Sequence, residues 1–469
     1  MSSPVYFFCG VGGSGMSALA LALLARGYEV RGSDRSHDKG QTPEKFEKLA
    51  EAGVKLYPQD GSGIDEAVSV LVVSSAIEET IPDVRAARNN SVAIQKRAEV
   101  LAELFNRSRG IAVGGTSGKS TVTAMMGHIF ESAGLDATMI NGAVMMDAAG
   151  ANRKGLGNAM IGQGDIMVIE ADESDGSIAY YEPAISVLTN VTLDHKPVEE
   201  IRPLFADFLI KAKEGCVVNR DDPESAVILQ SNSPSNVTGF SLKDPQADFF
   251  ADDISYSAHG AAKFRITEKF TGLSEVCTLK VPGRHNVENA LAALAASRMA
   301  GVSLQNCVGA LADFGGVKRR LEYVGEEKGV AVIDDFAHNP DKIRASLEAL
   351  SQTAGRKIVI FQPHGFGPMK MMRQEITQSF ADGMDASDIL IMPDIFYAGG
   401  TASKDISSAD LIADVKGKGR QAVYLATRPE IRTYLKSQAQ SGDRIIVMGA
   451  RDDTLPGFCQ DILMDMKAV

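Results

Sequence analysis

Long apolar runs are missing from this chain, and its few cysteines do not cluster. No segment offers the ~20 uninterrupted apolar residues that a helix needs to cross a bilayer, so no membrane span is expected. The first residues carry no basic stretch ahead of an apolar one, and glycines from Gly10 to Gly15 break up the early hydrophobics, so no secretory signal is expected either. Cys9, Cys216, Cys277, Cys307 and Cys459 are odd in number and scattered, with no CxxC pair. That pattern suggests neither a disulfide frame nor a zinc site; it predicts buried free thiols in a reducing cytoplasm. Positive charge is in deficit: 48 Lys and Arg stand against 60 Asp and Glu, a net −12. A general nucleic-acid binder is disfavoured, while a local basic pocket for phosphates is not. Short-period repeats and low-complexity tracts are also absent.

What remains is an ordinary globular composition, 44% hydrophobic, over 469 residues, which is too long for one domain. Short apolar, β-branched runs alternate with helical lengths along the whole chain. VYFFCG, EVRGSD and LVVSSAI punctuate residues 1–107; IAVGG, IMVIE, ISVLTN and CTLKV punctuate 108–322; VAVIDDF, KIVIFQ, ILIMPD, AVYLA and RIIVMGA punctuate 323–469. This is βαβ patterning. It predicts three α/β domains in series: a Rossmann-like N-terminal domain, a central domain of the phosphate-loop ATPase type, and a Rossmann-like C-terminal domain. The polar stretch NRSRG (106–110) reads as the first linker.

Two glycine-rich loops carry the chemistry. GGTSGKST (114–121) lies between a strand-like run ending at Val113 and a helix-like segment. Small residues let backbone N–H groups and a helix N-terminus face phosphate oxygens, Lys119 neutralises charge, and the Ser120 hydroxyl can ligate Mg²⁺. Gly115, Thr116, Ser117, Gly118 and Thr121 complete this expected ATP site. The second loop, CGVGGSGMS, places Gly10, Gly12 and Gly15 in GxGxxG spacing after a strand, with Asp34 ending the next strand. That geometry suits any diphosphate, NAD or a nucleotide sugar, and the glycines leave its identity open. Glu170, Asp172, Glu173 and Asp175 gather after the strand IMVI, where one Glu with Ser120 would suit a Mg²⁺ bridging ATP phosphates. His195 and His338 close strands in different regions; together they suggest a shared cleft.

CGVGGSGMSALA, RGSD, VVSSAI, RAEVLAEL, GGTSGKST, EADESDGS, LTNVTLDH, GRHNVENALAAL, FGGVKRRLE, DDFAHNP and FQPH occur in this order along almost the whole chain. The series resembles the Mur ligases of peptidoglycan synthesis. The resemblance implies a cytoplasmic ATP- and Mg²⁺-dependent enzyme that joins an amino acid, L-alanine first, to the lactyl carboxylate of UDP-N-acetylmuramate through an acyl phosphate. Lys119 would then bind the β- and γ-phosphates, Ser120 and Glu170 would hold Mg²⁺, and His195 would serve the same metal site. Asn286 and Asn289 would read adenine; their spacing puts them on one helical face. Arg320 would reach the transferred phosphate, Asp335 the nucleotide, and His338 the incoming amino acid. Gly12, Gly13, Ser14, Gly15, Asp34 and Ser74 would cradle the UDP part. The chain departs from the family pattern at Ser117, at Lys196–Pro197 after the DH pair, in the GFGPMK stretch after FQPH, and at Phe336 and Asn339. These departures lie toward the metal and amino-acid end. They leave open a paralogue that adds a different amino acid or a recycled peptide. A nicotinamide-dependent dehydrogenase would rest on GxGxxG alone, and GGTSGKST counts against it.

Overall fold

Most of the quoted apolar runs form strands rich in β-branched or aromatic residues, and the central ones are fully enclosed. In the computed structural model, which describes residues 3–74, 79–146, 157–192, 197–257, 260–397 and 403–468, VYFFC is β1 (Val5–Cys9), buried throughout. β2 (Glu29–Ser33), β3 (Lys55–Tyr57), β4 (Val70–Val73) and β5 (Ala93–Lys96) join it in an all-parallel sheet of order β3-β2-β1-β4-β5. The chain steps outward from β1 to β3 and then crosses back to β4. Strand order therefore reverses between β1 and β4, where open α/β sheets form their ligand crevice at the carboxyl ends. The first glycine loop follows β1 and Ser74 follows β4, so both border that crevice.

The second sheet is built from β6 (Arg109–Gly114), β7 (Thr138–Ile140), β8 (Ala159–Met160), β9 (Ile166–Glu170), β10 (Ile185–Leu188), β11 (Gly215–Asn219), β12 (Val237–Ser241), β13 (Phe249–Tyr256), β14 (Ala261–Glu268) and β15 (Leu273–Pro282). Its order is β15-β14-β13-β12-β11-β10-β6-β9-β7-β8. β6, which feeds the phosphate loop, runs parallel between β10 and β9. β13 to β15 alternate buried and exposed residues, the mark of strands with one solvated face. The sequence reading caught only the CTLKV part of this trio, because charges on the outer face dilute each apolar run.

The third sheet holds β16 (Glu322–Glu327), β17 (Val330–Asp335), β18 (Lys357–Gln362), β19 (Ile389–Met392), β20 (Gln421–Tyr424) and β21 (Arg444–Gly449), in the order β16-β17-β21-β18-β19-β20. Five of these are the five expected runs. The sixth, β16 (EYVGEE), pairs antiparallel with β17 and is too polar to stand out. Separate apolar clusters line this sheet, one including Ile343, Leu347 and Phe380 and the other Ile431, Leu435 and Ile462.

Contacts divide the chain into two compact units: residues 1–251 with 266–275 and 289–311, and residues 252–265 and 276–288 with 312–469. Within the first unit the N-terminal and central sheets share one apolar cluster, from Phe8 and Leu19 to Phe205 and Val218. The expected linker is a tight corner: the helix Arg97–Asn106 ends three residues before β6 starts at Arg109. Phe105 meets Tyr181 edge-on at 5.3 Å, and Asn106 Nδ2 donates to the Tyr180 carbonyl. Residues 312–322, including the RRLE motif, fall in the second unit. All five cysteines are free and buried. No helix among the described residues is long and apolar enough to cross a membrane.

Candidate functional site

The phosphate loop is held from below by the end of β10. Thr189 Oγ1 donates to the Ser117 carbonyl at 2.6 Å, Asn190 Oδ1 accepts from the Ser117 N–H at 2.9 Å, and Asn190 Nδ2 donates back to the Ser117 carbonyl at 3.1 Å. Thr116 joins through its hydroxyl, which donates to the Thr192 carbonyl at 3.1 Å. Gly115 and Gly118 have φ of +128° and +89°, conformations that favour glycine, and a Cβ at Gly118 would lie 2.4 Å from Asn289 Oδ1. Asn289 thus sits against the loop, on the helix Arg284–Met299 that also carries Asn286. Asn286 is buried and its Nδ2 donates to the Pro282 carbonyl at 2.7 Å.

Lys119 opens the helix Lys119–Ser132, followed by the buried Ser120 and Thr121. Its Nζ donates to the Gly115 carbonyl at 2.6 Å and to Glu173 Oε2 at 2.8 Å. Burial works against the lysine's charge, but Glu173, Asp172 and Glu170 more than offset it and hold its pKa above the ordinary value. The Ser117 hydroxyl is enclosed and has no partner among the described residues, a donor that a phosphate oxygen would accept. Glu170 ends β9 in register with Val113, the residue before the loop, and accepts from the Gly142 N–H at 2.6 Å. A single carboxylate beside a loop hydroxyl fits Mg²⁺, which takes few protein ligands and keeps water and phosphate for the rest. Among the described residues no group of three or more His, Cys, Asp or Glu could hold a metal on its own. His195 lies outside the described residues.

At the first glycine loop, Asp34 is committed to the backbone: its carboxylate accepts from the Gly12 N–H and the Ser36 N–H, both at 2.8 Å. Gly13 precedes the helix Ser14–Ala25, so Ser14 and Gly15 form its first turn. Two cations that the sequence did not reveal stand here. Lys45 Nζ donates to the Gly12 carbonyl, and a Cβ on Gly15 would come 3.2 Å from Arg97 Cδ. Burial lowers the Lys45 pKa, with Asp34 opposing. Neither cation has a spacing that marks it; only the fold brings each to the loop. Ser74, exposed beyond β4, completes the border.

In the second unit, Arg319 and Leu321 take left-handed φ of +58° and +51°, flanking Arg320. The turn is fixed from β17. Asp335 Oδ1 accepts from the Leu321 N–H at 3.2 Å and from the Phe336 N–H at 3.0 Å, and Oδ2 accepts from the Ser346 hydroxyl at 2.5 Å. Burial nonetheless raises the Asp335 pKa. Arg319 is spent on structure, pairing with Asp334 at 3.4 Å and donating to the Gly449 carbonyl at 2.8 Å. Burial raises Asp334 to about 6 against the pull of Arg319. The Arg320 guanidinium lies 4.6 Å from the centre of the Phe336 ring, with Arg319 at 5.0 Å. His338 Nδ1 lies 2.8 Å from the Phe336 carbonyl, which can only accept, so Nδ1 carries the proton in this contact. The His364 ring is 5.5 Å away.

A three-sheet α/β chain with a mid-chain phosphate loop, a nucleotide-type glycine loop and an arginine turn has the build of a modular nucleotide-binding enzyme. The chain belongs to the Mur ligase family: it matches the family's catalytic domain over residues 5–109, its middle domain over 113–297 and its glutamate ligase domain over 319–451. It is 35% identical to the UDP-N-acetylmuramate–L-alanine ligase of Pelotomaculum thermopropionicum, covering 95% of this chain and 94% of that one. The enzyme of the same name from Desulfotalea psychrophila is 36% identical, with 97% of each covered. Among solved structures, the UDP-N-acetylmuramate-alanine ligase of Thermotoga maritima superposes with a TM-score of 0.76 at 24% identity over the full length of both chains. A murein peptide ligase from Psychrobacter arcticus gives 0.69 at 22%, covering 100% of this chain and 99% of that one. The two structures share the fold.

Proposed function

We propose that this chain is an ATP-dependent ligase that joins an amino acid, L-alanine first, to the lactyl carboxylate of UDP-N-acetylmuramate in peptidoglycan synthesis. The observation that carries this reading is the pinned phosphate loop with its buried Lys119–Glu173 pair, in a chain similar over nearly its whole length to L-alanine ligases. Lys119 and the loop N–H groups, with the Ser117 hydroxyl, bind the β- and γ-phosphates. Asn289, and Asn286 on the same helix, serve the nucleotide base. A Mg²⁺ would be held by Ser120 and Glu170, with His195 as the family suggests, and would supply charge neutralisation. Lys45 and Arg97 add positive charge beside the UDP diphosphate at Gly12–Gly15. Asp335 holds the turn that carries Arg320, the residue the family resemblance assigns to the transferred phosphate.

The chemistry balances as two displacements. A lactyl carboxylate oxygen attacks the γ-phosphorus and ADP leaves, giving an acyl phosphate. The neutral amine then attacks the carbonyl carbon, and phosphate leaves with one former carboxylate oxygen. Positioning and charge neutralisation account for most of such catalysis. His338 is the base proposed for the ammonium proton. A second reading, a paralogue taking another amino acid or a peptide, draws on Asn339 and the GFGPMK stretch, both at the C-terminal sheet.

Phosphate release should require ATP, UDP-N-acetylmuramate and an amine together, and should be fastest with L-alanine in a panel of amino acids and short peptides. Release with a peptide alone would favour the paralogue; release with no amine present would contradict ligation. Phe336→Leu should lower kcat about tenfold, the worth of one strong cation–π contact, with the KM for the UDP-sugar unchanged. Phe336→Tyr should restore it. An equal loss in both variants would mean the ring does not orient Arg320.

A further inference from the structure

We propose that Asn158, working through Asn141, is a positioning bridge between the two glycine-rich loops. It keeps the lactyl carboxylate of the substrate on one loop at reacting distance from the γ-phosphate on the other. The inference rests on the ligase reading above and adds to it the residues that align the two substrates. The loops belong to different sheets, yet they must hold their ligands in one geometry. Reacting atoms need to approach within about 3–3.5 Å, and a misplacement of about 1 Å can cost roughly 10²-fold in rate.

Both loops lie in the first compact unit, and one run of hydrogen bonds joins them. At one end, Asn158 Nδ2 donates to the Ser14 carbonyl at 3.2 Å, in the first turn of the helix that follows the sugar-nucleotide loop. The same nitrogen donates to the Asn141 carbonyl at 3.3 Å, and the Asn141 N–H donates back to the Asn158 carbonyl at 2.9 Å. At the other end, Asn141 Nδ2 donates to the Ser120 carbonyl at 3.0 Å, one residue beyond Lys119. The Gly142 N–H, next in the chain, donates to Glu170 Oε1 at 2.6 Å. Asn158 stands 144 residues from Ser14, so no local motif announces the contact.

Sheet pairing does not account for the two asparagines. Asn158 precedes β8, a strand of two residues at the outer edge of the central sheet, paired with β7. Both residues are buried, Asn158 with 5% and Asn141 with 2% exposure. A buried amide costs free energy unless its N–H groups find acceptors, and an apolar residue would fill either position with no such demand. Asn158 Nδ2 has two N–H groups, one for each carbonyl it reaches. A backbone carbonyl has two lone pairs, so Ser14 and Ser120 can each accept the extra bond and stay in their helices. The bridge thus ties two helix starts together and acts only through their backbones.

Three variants test it. Asn158→Ala cuts the bridge at Ser14, Asn141→Ala cuts it at Ser120, and the double variant cuts both. Each single variant should lower kcat about 10- to 100-fold. Calorimetry should give dissociation constants for ATP and for the UDP-sugar, each measured alone, within about twofold of wild type, which also shows that the variants are folded. The double variant should be no slower than the slower single one, since a run of bonds cut once transmits nothing more; independent sites would multiply their losses. Asn158→Ser, whose hydroxyl is too short to reach Ser14 but can be hydrated, should reproduce the loss if Asn158→Ala folds poorly. Wild-type kcat in Asn158→Ala would overturn the inference and leave the ligase reading standing. A weakened dissociation constant with kcat unchanged would also overturn it, as would multiplied losses in the double variant. A wild type that turns over no amine would sink the ligase reading and this inference with it.

Discussion

Lys119→Ala is expected to abolish ATP-dependent phosphate release while leaving UDP-sugar binding intact. Lys119 reaches both the Gly115 carbonyl and the Glu173 carboxylate, so it closes the loop and supplies its charge. Removing one preorganised group that meets developing charge costs roughly 10²–10³ in rate, and a lysine that also binds the nucleotide should cost more. The single variant has a second consequence. Glu173 is only 5% exposed, and a buried carboxylate stripped of its partner costs about 3–5 kcal/mol. Lys119→Ala with Glu173→Gln removes both charges and separates folding from chemistry: the double variant should recover stability and remain inactive. Calorimetry with the UDP-sugar then reads the glycine loop alone. Loss of that binding in a folded double variant would count against separate nucleotide and sugar-nucleotide sites.

Gly115→Ala should be nearly as severe, through geometry rather than charge. The added Cβ would lie 2.1 Å from Thr189 Oγ1 and 3.0 Å from the Asn190 carbonyl, at a φ of +128°. Thr189 and Asn190 are the residues that hold Ser117, so relieving the clash breaks the pins of the loop. Backbone strain of about 1–3 kcal/mol adds to that. ATP should no longer raise the melting temperature of the variant, whereas the UDP-sugar should. Gly309→Ala is the matched control: nothing lies within 4 Å of its Cβ, it is helical, and it should be neutral or slightly stabilising. An ATP-induced shift in Gly115→Ala equal to that of wild type would mean the loop does not need this conformation.

Much of this architecture is legible in the sequence because parallel strands buried on both faces read as continuous apolar runs. KIVIFQ and RIIVMG announce β18 and β21 without any partner information. β16 and the β13–β15 trio do not announce themselves, since one wet face breaks the run. The loops are equally legible where backbone geometry demands glycine, as at Gly115 and Gly118. What composition conceals is who stands beside whom. Lys45 reaches Gly12 from a helix 33 residues on, and Arg319 and Arg320 look identical until Asp334 and Gly449 take the first and the Phe336 ring orients the second.

The central claim is that the carboxylate of UDP-N-acetylmuramate, not water, takes the γ-phosphoryl group. The most direct measurement is turnover with substrate carrying ¹⁸O in the lactyl carboxylate, followed by mass analysis of the phosphate released. Phosphate bearing one ¹⁸O, formed together with an amide product of matching mass, is the expected result. Unlabelled phosphate would mean that ATP is hydrolysed without acyl transfer and would contradict the account.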